Sequence, residues 1–441
     1  MNIEYSETVI VGAGQQGCGV AASLREIGHA AVIVERAEIG HAWAHERWDS
    51  LLVGSGNRTI QLPGWEYDGT DPDGTMSGRE LARHVRRYAE ERQLRVLQHT
   101  EVRAVECPPE AADHDDVRFR TYLSTGAVFE SRNLVAAVGG YAKPRLPAFA
   151  SDIDPAIVQV HSRDYRNPAA LPDGAVLVVG AGISGQQIAD ELADVGRNVF
   201  LSVGRHRVFP RRYRGRGIQE WMYIFSLYDD FVTAEAGHFA SGDPTKLPGL
   251  PVTAVTNRGA DLNLGTLAEK GVILVGSVRA AQNSILSVDD NVVAVAEASA
   301  RSLRAVLHKI DSGIRQRGFV APEQNPPLDV NMEHIANFGN KLDLAHHDIT
   351  AIIWCTGFGP DYRFLPKQAL DNNGVPIQQK AMLGALPGLY YAGLPYGNSL
   401  HLSGIPATVE CGRFIASQIH IDSVMRSGSP DPVFEIGRRY S

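Results

Sequence analysis

Two glycine clusters recur in the chain with the same spacing. The first is Thr8-Val9-Ile10-Val11-Gly12-Ala13-Gly14-Gln15-Gln16-Gly17, and the second is Val176-Leu177-Val178-Val179-Gly180-Ala181-Gly182-Ile183-Ser184-Gly185. Each follows an apolar run that reads as a strand and opens a stretch that reads as a helix. In such a turn the first glycine permits the tight bend, and the second lets backbone approach a pyrophosphate. The third lets the helix pack on the strand. The helix start then presents free N–H groups and the positive end of its dipole to the phosphates. One such cluster is weak evidence; two in one chain point to two dinucleotides held face to face.

The copies diverge downstream. After the first, a helix from about Gly17 to Gly28 and a strand from Ala31 to Val34 lead to Glu35, 35 − 12 = 23 positions beyond Gly12. A carboxylate there meets ribose hydroxyls and repels a 2′-phosphate, which favours FAD or NAD over NADP. Gly12, Gly14, Gln16, Gly17, Glu35 and Arg36 form the first candidate cofactor set. After the second copy the same 23 positions from Gly180 reach Val203, and the chain continues Gly204-Arg205-His206-Arg207-Val208-Phe209-Pro210-Arg211-Arg212-Tyr213-Arg214-Gly215-Arg216. A guanidinium pairs with a 2′-phosphate in a forked geometry. Gly180, Gly182, Ser184 and Gly185, with Arg205 first and Arg207 second among the arginines, read as an NADPH site. Six arginines cannot all meet one phosphate, so several must be salt-bridged or solvated.

The alternative reading of the arginine run is a nucleic-acid patch. A net charge of −8 and the lack of a second basic run argue against it. With 441 residues, 44% hydrophobic and 21% charged, the composition is that of a globular enzyme of two or three domains. The first residues, Met1-Asn2-Ile3-Glu4-Tyr5-Ser6-Glu7, are acidic and lead directly into a strand, unlike a signal peptide. No apolar run has the length of a membrane span. A cytoplasmic protein with no membrane partner is the expectation. Cys18, Cys107, Cys355 and Cys411 form no close pair. Electron transfer through a cysteine pair and a four-cysteine zinc site are both disfavoured, and no metal ligands are assigned.

The implied fold class is α/β, with two dinucleotide-binding (Rossmann-like) domains and the NADPH domain inserted in the FAD domain. The expected boundaries are 1–149 for the first part of the FAD domain, 150–340 for the NADPH domain and 341–441 for the second FAD part. Helical character from Arg79 to Arg92, strands at 96–105 and 117–123, and an apolar strand from Leu134 ending in Gly139-Gly140 belong to the first part. A proline-broken linker, Lys143 to Pro147, follows. Strands ending in glycine turns are expected near Gly357 and Gly393, and a final helix over 407–419.

With these motifs the chain resembles the flavin-containing monooxygenase group, in the branch of bacterial flavoproteins and plant auxin-type monooxygenases. The resemblance covers most of the chain. It rests on the two fingerprints, Trp48-Asp49-Ser50-Leu51 with Leu62-Pro63, Val138-Gly139-Gly140 before the linker, and Trp354-Cys355-Thr356-Gly357-Phe358. The family identifier Phe-x-Gly-x-x-x-His-x-x-x-Tyr/Phe is matched in its second half by His161-Ser162-Arg163-Asp164-Tyr165. Pro155 and Ile157 stand where its Phe and Gly would be. Baeyer–Villiger relatives usually end this motif in Trp, so Tyr165 points to hydroxylation of heteroatoms or activated carbon.

The resemblance implies FAD and NADPH as cofactors. Hydride passes from NADPH to FAD, the reduced flavin and O2 form a C4a-hydroperoxide, and a small organic substrate takes one oxygen atom. The protein then orients, hydrogen-bonds and excludes water, while the cofactor carries the chemistry. Trp43 and Trp48 fall where family members pack on the flavin ring. Val102, Thr356, Gly357 and Gly393 complete the candidate cofactor contacts. The family's flavin-proximal Asn falls at Gly54 here, and Asn57, three residues on, is the candidate substitute. His401 is the second catalytic candidate. His161 reads more readily as a packing residue, and Trp221-Met222-Tyr223-Ile224-Phe225 as a core or dimer helix than as a substrate entrance. A homodimer is open. Two other function classes stand beside the monooxygenase: an NAD(P)H oxidase or reductase releasing H2O2, and a non-catalytic redox-sensing flavoprotein.

Overall fold

In a computed structural model the chain is described at residues 3–108, 117–227, 251–252, 254–324, 330–359, 361–380, 382–394 and 404–427. The strand Ile3–Val11 centres a sheet, flanked in parallel by Ala31–Val34 and Val128–Ala136. Leu389–Tyr391 pairs in parallel on the outer side of Val128–Ala136, and Val96–Leu97 on the outer side of Ala31–Val34. Val9, Ile10, Val32 and Ile33 are all fully buried. Consecutive apolar residues bury both faces of a parallel sheet, which is why these strands show no alternation. The helices Gln15–Glu26 and Thr408–Ser427 pack on one another beside this sheet. The helix Gly78–Glu91 starts on a capping box: the Ser77 hydroxyl accepts from the Glu80 N–H at 3.2 Å, and Glu80 Oε2 accepts from the Ser77 N–H at 2.8 Å.

A second, wholly parallel sheet has the order Ile273–Gly276, Val199–Val203, Ala175–Val179, Ile349–Trp354, Val158–His161. This corrects the boundary expected at residue 341. Lys341–Asp343 pairs with Ile285–Val288, and Ile349–Trp354 sits between two strands of the second sheet. The chain returns to the first sheet only beyond Gly357. The physical reason is register: Ile352 pairs with both Leu177 and Gln159, a long-range match invisible in the local pattern.

The two sheets repeat one design. The Gly12 N–H donates to the Val34 carbonyl and the Ala137 N–H to the Val11 carbonyl, both at 2.9 Å. Correspondingly, Gly180 donates to Ser202 at 3.0 Å and Cys355 to Val179 at 2.9 Å. In each sheet the fingerprint strand thus lies between the strand after its helix and a strand ending in a glycine turn, Gly139 or Gly357. The two connections between the sheets run together, because Lys143–Pro144 pairs antiparallel with Phe358–Gly359. Among the described residues no helix is long and apolar enough to cross a membrane.

Candidate functional site

The six fingerprint glycines divide into two kinds. Gly12 has φ +107°, and a Cβ on it would lie 2.6 Å from the Ala137 carbonyl oxygen; one on Gly17 would lie 2.0 Å from the Gly12 carbonyl oxygen. The second copy is equally closed: Gly180 has φ +110°, its Cβ would meet the Cys355 oxygen at 2.5 Å, and one on Gly185 would meet the Gly180 oxygen at 1.7 Å. These four glycines are required by the turn itself. A Cβ on Gly14 or Gly182 would meet nothing within 4 Å. Both positions cap a helix and open into one cleft, which leaves room above each helix start for a phosphate group.

That cleft has a volume of about 2110 Å³ and is bordered by both phosphate turns. Gly12, Gly14, Gln16, Glu35, Arg36, Trp43, Trp48, Val102, Gly357 and Gly393 line it from the first turn's side and the strand-end turns, and Gly182 and Ser184 from the second. Gly17, Gly180 and Gly185 lie behind the turns they close. Thr356 also stands back from the cleft, its hydroxyl donating to the Arg145 carbonyl in the linker.

On the first side Glu35 braces the turn. Its carboxylate accepts from the Ala13 N–H at 2.7 Å and the Ala37 N–H at 3.0 Å. Beside it, Glu46 is buried between two guanidinium groups, Arg36 at 2.8 Å and Arg163 at 2.9 Å. The Trp43 indole N–H donates to Gln15 Oε1 at 3.0 Å. Among the buried polar atoms of cleft residues that are left over, the Trp48 indole N–H and Gln16 Oε1 have no protein partner, although Gln16 Nε2 donates to the Gly404 carbonyl at 3.1 Å. Buried polar atoms are normally paired, so both suit a ligand. Gly393, φ +75°, packs against Gln16, with 2.9 Å between its would-be Cβ and Gln16 Cγ.

Sequence reasoning missed Arg47. Its guanidinium lies 5.4 Å from the Trp43 ring, 5.5 Å from Tyr141 and 5.8 Å from Phe358, all at the cleft where the linkers cross. Burial pushes its pKa down, yet an arginine stays charged. The only local signal was a basic residue between two tryptophans; the cage itself comes from three distant segments.

On the second side Arg205 is exposed just past the strand Val199–Val203 and Arg207 is buried at 5% exposure; neither is among the residues that line the cleft. Residues 207–208 pair in parallel with 251–252. The rest of the arginine run disperses as expected. Arg212 pairs with Asp73 at 2.5 Å and Arg214 with Asp311 at 2.8 Å, and Arg216 stacks 5.6 Å from the Trp221 ring. His206 is buried, its Nδ1–H donating to the Ala181 carbonyl at 3.0 Å; burial drives its pKa down to about 4.

The catalytic candidates fare differently. Asn57 is buried and does not line the cleft: its amide donates to the Asp71 carbonyl at 2.8 Å and tethers the loop beneath. Gly54 does line the cleft. Asn57 opens the short helix Asn57–Thr59, and its Oδ1 is buried with no hydrogen-bond partner. His401 lies outside the described residues. His161 is a packing residue, with Nε2–H donating to the Gly357 carbonyl at 3.1 Å and Nδ1 accepting from the Arg163 N–H at 3.2 Å. Burial lowers its pKa and keeps it neutral. Tyr165 is buried and donates to Glu191 Oε2 at 2.8 Å. In the helix Ile218–Ile224, read as a core or dimer helix, Trp221 and Met222 are buried, and Met222, Tyr223 and Ile224 line the cleft. All four cysteines are free, and burial pushes Cys18, Cys355 and Cys411 up to about 12, which makes them poor nucleophiles.

A fold with two phosphate turns across one cleft defines a two-dinucleotide flavoprotein architecture, and the comparisons agree. A model of the pyridine nucleotide-disulphide oxidoreductase family matches residues 9–215. An oxidoreductase named CzcO-like from Geobacillus kaustophilus is 27% identical over 411 residues, 92% of this chain and 96% of its own. The oxidoreductase CzcO of Bacillus velezensis is 30% identical over 245 residues, 54% of this chain and 67% of its own. Indole-3-pyruvate monooxygenase YUCCA1 of rice is 28% identical over 297 residues, 62% of this chain and 70% of its own. Among solved structures, a flavin-containing monooxygenase from Stenotrophomonas maltophilia aligns with TM-score 0.59 at 19% identity, over 96% of this chain and 100% of the other, and shares the fold. The chain belongs to the family of the CzcO oxidoreductases and is similar to flavin-containing monooxygenases.

Proposed function

We propose that the protein is an FAD-dependent, NADPH-consuming monooxygenase that inserts one atom of O2 into a small organic substrate. The observation that carries this reading is the pair of open glycines, Gly14 and Gly182, facing one cleft from two helix starts. On this reading Gly14, Gln16 and Glu35 hold the FAD pyrophosphate and ribose, with the Trp48 indole N–H as a further donor. Gly182 and Ser184 hold the NADPH pyrophosphate, and Arg205 reaches its 2′-phosphate. When both are bound, these cofactors supply hydride transfer and oxygen activation.

The chain's own part is positioning and dryness. The Trp43 ring is held by Gln15, and the Trp43, Tyr141 and Phe358 rings gather around Arg47 at the cleft. Arg47 sets a positive charge in that wall. No side chain is assigned as a general base. A cleft far larger than the roughly 300–1,000 Å³ of a drug-sized site fits two dinucleotides with space left for a small substrate.

A second reading, an NAD(P)H oxidase releasing H2O2, is favoured by Gly54 lining the cleft where the family's Asn would stand. One experiment separates them: NADPH consumed against H2O2 formed, across a panel of sulfides, amines and 2-oxo acids. Peroxide falling below NADPH with some panel member supports the monooxygenase; peroxide equal to NADPH with all of them supports the oxidase.

A further inference from the structure

Outside the nucleotide turns, one cluster of side chains among the described residues has the composition of a metal site. Glu38, His41 and His45 each offer a ligand atom, and these three atoms lie within 4.8 Å of one another. His41 and His45 occupy successive turns of the short helix His41–His45, with ring centroids 4.8 Å apart. Residues four apart share one helix face, so the spacing aims both rings the same way. Glu38 enters from the preceding turn, its Oε1 already 2.6 Å from His45 Nε2.

The backbone around the cluster is fixed rather than loose. The His41 N–H donates to the Glu38 carbonyl at 3.0 Å, which closes the turn joining these two ligands. The Ile39 N–H donates to Gln98 Oε1 at 3.0 Å, and the His99 N–H to the Ala37 carbonyl at 2.8 Å. The carboxylate is oriented as well: Arg86, on the neighbouring helix Gly78–Glu91, holds Glu38 Oε2 at 3.4 Å and leaves Oε1 turned to the imidazoles. Metal-bound carboxylates are commonly held by an outer partner of this kind.

We propose that Glu38, His41 and His45 bind a divalent transition-metal ion of the zinc class. Two imidazoles and one carboxylate are a zinc donor set, whereas Mg²⁺ and Ca²⁺ select all-oxygen ligands. The ion takes the place of the proton shared by His45 and Glu38, and its fourth position is open to water or an added ligand. The helix carrying the site also carries Trp43, and His41 itself borders the cleft. A bound ion therefore ties Glu38 to this helix at the rim of the nucleotide cleft.

The test uses the full chain as purified, stripped with a chelator and titrated with Zn²⁺ alone by calorimetry, with Co²⁺ as a spectroscopic probe. The expected result is one ion per chain, lost in both His41→Gln and His45→Gln. Arg86→Leu, which removes only the outer contact, weakens binding by about tenfold. Cys107→Ser, which removes the exposed thiol, leaves binding as it was. The Co²⁺ form shows the intense visible bands of a four-coordinate ion, and these vanish with either histidine. The proposal is overturned if no stoichiometric ion binds. It is equally overturned if binding survives both histidine substitutions, since the ion is then held elsewhere.

Discussion

Replacing Gly14 or Gly17 with alanine adds the same methyl group to two positions three residues apart, with opposite consequences. At Gly17 the new Cβ would lie 2.0 Å from the Gly12 carbonyl oxygen, and backbone in a closed turn has nowhere to go. Overpacking of this kind costs ~1–3 kcal/mol, and a clash with backbone belongs at the upper end. At ~3 kcal/mol, and roughly 2 °C per kcal/mol for a long chain, Tm falls by roughly 6 °C. At Gly14 the backbone has φ −77° and ψ −178°, which alanine adopts, and the methyl meets no protein atom within 4 Å. Alanine is a poorer helix N-cap than glycine by ~0.5–1 kcal/mol, or roughly 1–2 °C. The methyl occupies the space left for the pyrophosphate instead, and flavin affinity drops on the order of tenfold to hundredfold, ~1.4–2.7 kcal/mol. Calorimetric Tm of the flavin-free chains, with flavin retained per chain after dialysis, separates the two effects. Equal Tm losses in the two variants, or Gly14→Ala protein that keeps its flavin as tightly as the parent, would refute the division of the glycines into turn-closing and ligand-facing.

The other consequences are independent of that pair. Arg205→Ala raises the KM for NADPH by about tenfold to hundredfold, ~1.5–3 kcal/mol for a lost charged hydrogen bond, and leaves the KM for NADH nearly unchanged; equal changes for both cofactors would remove Arg205 from the 2′-phosphate. Gly54→Asn restores the family's amide at the cleft, and peroxide release without added substrate slows relative to the parent; an unchanged rate of peroxide release would show that Gly54 does not govern it. His206 titrates near 6.5 when unfolded and at about 4 when folded. Its contribution is therefore fully present above pH 6.5 and lost as pH falls toward 4, by on the order of 3 kcal/mol at most. His206→Gln keeps a donor for Ala181 without the titration. Chemical denaturation across that range should show a flatter pH dependence for the variant, and parallel curves would exclude His206 as the source.

The parts of the fold legible in the sequence are those decided locally. Val9 to Val11 and Val176 to Val179 are unbroken apolar runs ending in glycine, so strand, turn and helix follow from a few neighbouring residues. Ala31–Val34 forms the strand at the bounds expected, because Glu35 ends the apolar run. What the sequence hid depends on distant partners. Ile349–Trp354 is as apolar as a strand of either sheet, and only its pairing with Ala175–Val179 and Val158–His161 decides which.

The site divides the same way. Gly14 and Gly182 were legible as phosphate cradles because the motif itself fixes their backbone. Asn57 sat at nearly the right sequence distance, but its orientation is set by the Asp71 carbonyl, fourteen residues away. Arg207 and Arg205 are two residues apart and chemically identical, yet one is buried and the other exposed. Glu38, His41 and His45 come together through the turn that the His41 N–H closes onto the Glu38 carbonyl, a contact that residue type alone does not announce.

Anaerobic mixing of the purified protein with NADPH in a stopped-flow spectrometer tests the central claim, two nucleotides facing each other across one cleft. The account predicts bound FAD that loses its oxidised absorbance with one NADPH per flavin, and that needs far more NADH to reach the same rate. A chain that carries no flavin, or a flavin that stays oxidised in excess NADPH, would contradict it.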